Sequence, residues 1–129
     1  MMMRFTFYML LNILFLSSCT APITKQLKGT WAMKKVYDNS TDVTAQHNPQ
    51  NDRWIAFAKD GSFKSGGTPT GENTGKWQYT ATNNQLFLDS DVGEEDDSYW
   101  LIQIEKDSMN WAGLRSSFAE RFKLTFSKR

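Results

Sequence analysis

Cysteine is almost missing from this chain: 129 residues hold a single one, Cys19. No intrachain disulfide can staple the fold, and no set of thiolates can hold a metal. Histidine is equally scarce. The sole His47 stands in a long loop with no serine, cysteine or metal-ligand partner nearby, so no catalytic base or triad can be named and an enzyme is not expected. An excess of charge of one sign is lacking as well. With 15 basic and 14 acidic side chains, there is no electrostatic case for nucleic acid or for an anionic membrane surface. Helical periodicity over ten or more residues is absent from the body of the chain, and Ala and Leu are sparse there. What is abundant is Trp, Tyr and Phe, together 14% of the residues, a content that suits pleated, half-buried strands.

The N-terminus is different in kind. Met1-Met2-Met3-Arg4 is a short basic start, and Phe5 to Leu16 is almost wholly apolar, as in a signal-peptide core. Twelve helical residues rise only about 18 Å against roughly 30 Å of hydrocarbon, so residues 1–18 read as a cleaved signal peptide rather than a permanent span. Leu16-Ser17-Ser18-Cys19 resembles the lipobox of bacterial lipoproteins, in which the cysteine takes a diacylglyceryl thioether. The alternative is an ordinary secretory signal with a chance cysteine. Lipidation of Cys19 removes the only thiol from further chemistry and anchors the chain stably, at about 0.8 kcal/mol per buried methylene. Thr20 follows where an aspartate would favour inner-membrane retention in such lipoproteins, which points to the outer membrane and a periplasm-facing, lipid-anchored protein.

Removing residues 1–18 leaves 111 of the 129 residues, with 14 basic against 14 acidic side chains. That length fits one domain, expected as a monomer. Residues 19–28 form a tether in which Pro22 opens a helical turn with Ile23 and Leu27 on one side, shaped like a plug under a barrel. Residues 29–129 form the barrel itself. Eight strands are predicted: Thr30–Tyr37, Arg53–Lys59, Ser62–Ser65, Gly75–Ala81, Gln85–Asp89, Ser98–Glu105, Ser108–Leu114 and Glu120–Ser127. In Ser98–Glu105 the alternation puts Trp100, Ile102 and Ile104 toward the core. Three connections are tight: Asp60-Gly61, read as a type I′ turn, Thr82-Asn83-Asn84 and Lys106-Asp107. They alternate strictly with four long ones, Asp38–Asp52, Gly66–Thr74, Ser90–Asp97 and Arg115–Ala119. In an up-and-down meander the long loops then ring one mouth and the tight turns close the other end. The fold class is all-β, an eight-stranded antiparallel up-and-down β-barrel.

Leu27-Lys28-Gly29-Thr30-Trp31, Ile55-Ala56-Phe57-Ala58-Lys59-Asp60-Gly61-Ser62-Phe63 and Gly75-Lys76-Trp77-Gln78-Tyr79 resemble the bacterial lipocalin-like domain, a relative of the calycin barrels. The likeness is strongest in these stretches and fades after Asp89. The resemblance implies that Gly29 opens the first strand, that Trp31 closes the barrel floor, and that a basic residue after the last strand, Lys128 or Arg129, covers it. The Thr-Asp-Tyr signature and the C-terminal helix of lipocalins have no counterpart here.

The resemblance also implies a cup for one small lipophilic molecule, with Met33, Phe57, Phe63, Trp77, Trp100, Ile102, Trp111 and Phe122, together with Met109 and Phe126, as candidate lining. A plugged core is the competing reading. A cavity of about 300 Å³ or more favours a small-molecule site, and a solid interior favours the loops. Two functions follow: an envelope binding lipoprotein, or a protein-interaction module whose loops, Phe118 and the Gly66–Thr74 segment among them, insert into a partner. The acidic stretch Asp89, Asp91, Glu94, Glu95, Asp96 and Asp97 could offer oxygens to Ca²⁺, but its spacing is not that of an EF-hand and a solvated loop accounts for it. No cofactor is expected.

Overall fold

The computed structural model describes residues 21–129. The signal peptide and the lipidation of Cys19 therefore concern residues outside the described part of the chain.

The chain runs through a five-residue helix α1 (Ile23–Leu27) and then β1 (Gly29–Asp38), β2 (Thr41–Asp42), a short helix α2 (Thr44–His47), β3 (Trp54–Phe57), β4 (Ser62–Gly66), β5 (Asn73–Thr80), β6 (Gln85–Ser90), β7 (Ser98–Glu105), β8 (Ser108–Gly113) and β9 (Phe122–Lys128). Apart from the two-residue β2, each strand pairs antiparallel with the next, and β1 also pairs with β9. That last ladder closes eight strands into a barrel and leaves no long unpaired edge. Among the described residues no helix is long and apolar enough to cross a membrane.

Alternation decides which side chains point in. Along β7, Ile102 is buried while Leu101, Gln103 and Glu105 are exposed, so a one-residue slip would turn the core face to water. In β1 the register shifts between Met33 and Lys35. The extra residue, Lys34, is exposed, and this bulge lets Trp31, Met33 and Val36 all face the interior.

Of the three tight turns, that between β3 and β4 differs from its expected form. Gly61 alone has a positive φ, 88°, whereas a type I′ turn needs it at both central positions. The Asp60 carboxylate accepts hydrogen bonds from the Ser62 amide at 2.9 Å and the Ser62 hydroxyl at 2.6 Å. That local closure lengthens the turn and leaves the left-handed position to glycine.

The closed end is solid. Leu27, Trp31, Leu86 and Met109 are fully buried there. Trp31 Nε1 donates to the Leu27 carbonyl at 2.8 Å, which docks α1 under the barrel. Lys128 Nζ lies 4.5 Å from the Trp31 ring centroid and donates to the carbonyls of Gln26 and Lys28. Of the two basic residues considered for covering the floor tryptophan, Lys128 holds that place, where burial lowers its pKa and Asp107 opposes the shift.

Candidate functional site

The four long connections gather at the opposite end, and the first of them, residues 39–53, is not irregular. Asp42 Oδ1 accepts from the Thr44 amide at 2.9 Å and from its hydroxyl at 2.5 Å, which starts α2. Val36 and Val43 then tie this loop to β1 through the Val43 N–H to Val36 carbonyl bond. Asn48, buried, is the clamp: its Nδ2 donates to the Met33 carbonyl at 3.1 Å, and its Oδ1 accepts from the amides of Asp52 and Arg53 at 3.2 and 3.1 Å. Each of these buried polar groups is thereby satisfied. His47 stands edge-on to Phe122 at 5.7 Å, a packing role at the rim.

The clamp fixes the two residues that follow it. Asp52 turns toward the β4–β5 loop, where Oδ1 accepts from the Thr68 amide and Oδ2 from the Thr68 hydroxyl, both at 2.9 Å. The Thr68 amide, and after it the hydroxyl, hold the Asp52 carboxyl below its ordinary value despite some opposition from desolvation. A depressed carboxylate pKa means that this clasp between two mouth loops is complete above the ordinary pKa of about 3.9 and is lost as pH falls through the lower native value. The Thr68 amide proton should accordingly keep its downfield NMR position at pH 5 and move upfield only well below pH 4. Titration at the ordinary carboxylate value would remove the clasp from this account.

Arg53 follows the alternation of β3 and shares the interior side with Ile55 and Phe57. It is half-buried, and Nη1 donates to the His47 carbonyl at 3.0 Å. Burial lowers its pKa, partly offset by the neighbouring Asp52 charge. Among the described residues it has no carboxylate within ion-pair distance; the ion pairs at this end and on the outer wall are Arg121–Asp38 and Lys35–Asp42.

Beneath Arg53 a cavity of about 160 Å³ opens between Met33, Ile55, Leu88, Trp100, Trp111, Leu124 and Phe126, with Ser65, Thr70 and Ser98 as its polar members. The aromatic wall is continuous: Trp111 lies 5.1 Å from Trp100 and 4.6 Å from Phe126, centroid to centroid. Trp100 Nε1 donates to Ser98 Oγ at 2.9 Å. Trp111, only 4% exposed, carries the one buried side-chain polar atom that finds no hydrogen-bond partner among the described residues, Nε1.

Of the residues singled out in the sequence, Met33, Trp100, Trp111 and Phe126 line this cavity. Phe57, Phe63, Ile102 and Met109 are buried in the core away from it. Trp77 is half-buried beside the β3–β4 turn, donating Nε1 to the Ala58 carbonyl at 3.2 Å and meeting Phe57 edge-on at 5.8 Å. Phe122 sits at the rim between His47 and Phe118. Gly29 takes a φ of 114° at the start of β1, where a Cβ would touch the Lys128 side chain. The interior is thus neither solid nor as wide as 300 Å³. A larger groove of about 340 Å³ crosses the outer wall near Tyr37, Leu101, Asn110 and Lys123; Trp111 and Leu124 border it as well as the cavity.

Sequence reasoning did not single out Arg53 or Asn48. The acidic loop carries a single 3₁₀ turn, Glu94–Asp96; Asp97 Oδ1 accepts from the Ser90 amide and Asp91 Oδ2 from the Thr74 hydroxyl, each at 2.8 Å. Among the described residues no group of three or more His, Cys, Asp or Glu side chains is placed to hold a metal ion.

These features define an eight-stranded antiparallel barrel, open at one end, of a kind that serves binding or interaction. No protein-family model and no curated protein matches the sequence. Among solved structures, the crystal structure of a DUF4847 family protein from Bacteroides vulgatus is similar, with a TM-score of 0.61 over 84% of this chain and 98% of that one, at 13% identity. At that identity the likeness extends to the fold alone.

Proposed function

We propose that the protein is a non-enzymatic, envelope-anchored binding lipoprotein whose barrel mouth takes a small, largely apolar molecule. The observation that carries this reading is the cavity under the mouth, about 160 Å³ and walled by Trp100, Trp111, Phe126 and aliphatic side chains. An apolar cavity of about 150 Å³ holds a benzene-sized guest. The ligand is therefore ring-sized, and a long acyl chain exceeds the space. The lipobox-like Leu16-Ser17-Ser18-Cys19 supports the anchor and the outer-membrane, periplasm-facing location. Lipocalin-like relationship is part of this proposal, supported by the Gly29-x-Trp31 opening and by Lys128 over Trp31.

Native mass spectrometry of the chain from Thr20 onward, extracted without detergent, should show an adduct no heavier than a small ring compound. Bare mass, combined with no uptake of small aromatic probes, would sink the reading. Palmitate labelling that survives Cys19→Ala would sink the anchor.

A second reading, a protein-interaction module, draws on two exposed apolar side chains at the rim, Val92 (73% exposed) and Phe118 (66%), on the β6–β7 and β8–β9 loops. Cross-linking in intact envelopes should then recover one protein partner in near-stoichiometric amount, lost in Phe118→Asp. Recovery of none would leave the small-molecule reading alone.

A further inference from the structure

We infer that the mouth cavity takes a ring-sized organic monocarboxylate, whose oxygens accept hydrogen bonds from the Arg53 guanidinium and the Trp111 indole N–H. This rests on the mouth being a small-molecule site and adds the chemical class of the guest.

Two independent observations carry it. The first is the unmatched indole. Trp31, Trp77 and Trp100 each donate Nε1 to a protein oxygen, at 2.8, 3.2 and 2.9 Å, and Trp54, whose Nε1 has no protein acceptor among the described residues, is only half-buried. Trp111, which lines the cavity and also borders the outer-wall groove, has a buried Nε1 that donates to no protein oxygen among the described residues. A buried donor without an acceptor is costly, and in a folded protein it calls for a partner. The second is the cation. Arg53 lines the same cavity, and of its five guanidinium donors only Nη1 has a protein acceptor among the described residues, the His47 carbonyl. Its sequence neighbour Asp52 directs both carboxylate oxygens at Thr68 instead.

Size, wall and donors then discriminate among ligands. A hydrocarbon ring fills the volume and leaves both donors unmatched. Inorganic phosphate meets the donors and leaves the wall of Met33, Leu88 and Phe126 against a hydrated ion, which is unfavourable. A fatty acid meets Arg53, but its chain exceeds about 160 Å³. A small aromatic or branched acid satisfies all three, since a planar carboxylate matches the guanidinium fork.

The test uses the full-length chain in lipid nanodiscs, titrated with benzoate and with its neutral isostere benzamide, empty nanodiscs being subtracted. Benzoate should bind at least tenfold more tightly than benzamide. In the ¹⁵N-labelled protein the Trp111 indole proton, assigned with Trp111→Phe, should move downfield on benzoate addition. Arg53→Met should abolish the preference while benzamide still binds, which shows that the mouth remains folded; Arg53→Lys should keep part of it. Equal binding of the two ligands, with Arg53→Met unchanged or the Trp111 resonance unmoved, overturns the carboxylate and leaves the mouth site standing. Binding of neither overturns both.

Discussion

Trp31→Ala should lower the stability of the protein by about 3–5 kcal/mol, the range for removing a large aromatic side chain from a closed core. Trp31 is fully buried, so alanine leaves a void that the surrounding ladder cannot collapse into, since β1 is held by β3 on one side and β9 on the other. Three further contacts go with the ring. The Leu27 carbonyl loses its indole donor, α1 loses its dock, and the Lys128 ammonium loses the aromatic face 4.5 Å away. Since a domain of this size has only about 5–15 kcal/mol in hand, the variant should approach the limit of folding at 37 °C. Urea unfolding followed by circular dichroism measures it. A loss under 1 kcal/mol would show that the floor is not held by this residue. Trp31→Phe, which keeps most of the volume and removes the N–H, should cost less than half as much.

The second large effect is expected where a side chain is added. A Cβ at Gly75 would stand 2.1 Å from the Asp89 carbonyl oxygen and 2.6 Å from Cε1 of Phe63. The first neighbour is backbone within the β5–β6 ladder, so it cannot swing aside, and the second is a fully packed core ring. Gly75→Ala should therefore cost about 3 kcal/mol, the upper part of the range for overpacking, and should loosen the strands that wall the mouth. Gly71 supplies the contrast. There a Cβ meets nothing, although φ is +70°, so Gly71→Ala carries only left-handed strain of about 1–2 kcal/mol. Equal melting temperatures for the two variants would contradict the steric argument.

Strand positions were readable because the inward face must be apolar and the period is two. Ser98–Glu105 has the bounds that its alternation gave, and the long and short connections alternate around the two ends as their turn residues indicated. The first loop was not readable as structure. Its helix is four residues long, too short for any periodicity, and its only local trace is Asp42-x-Thr44, where the carboxylate meets the amide and hydroxyl two residues on. Asn48 is harder still, because its three partners lie in β1 and at the loop's end, brought together only by closure of the barrel. Arg53 was half-visible. Strict alternation from Ile55 and Phe57 puts it on the inner face, but a cation at a strand start reads as a solvated boundary until the loop above is seen to bury it. Among the tryptophans, composition gives five, yet which buried indole lacks an acceptor is set by the folded surroundings: Trp100 meets the Ser98 hydroxyl, and Trp111 Nε1 meets no protein acceptor among the described residues.

Because α1 docks under the floor through Leu27 and Lys128, the polypeptide arrives at the pole opposite the opening. If Cys19 bears the anchor, two residues before Ala21, the bilayer lies on the sealed side and the aperture looks out into water. Guests would then be exchanged with the aqueous compartment, and molecules diffusing within the lipid would meet only the stopper.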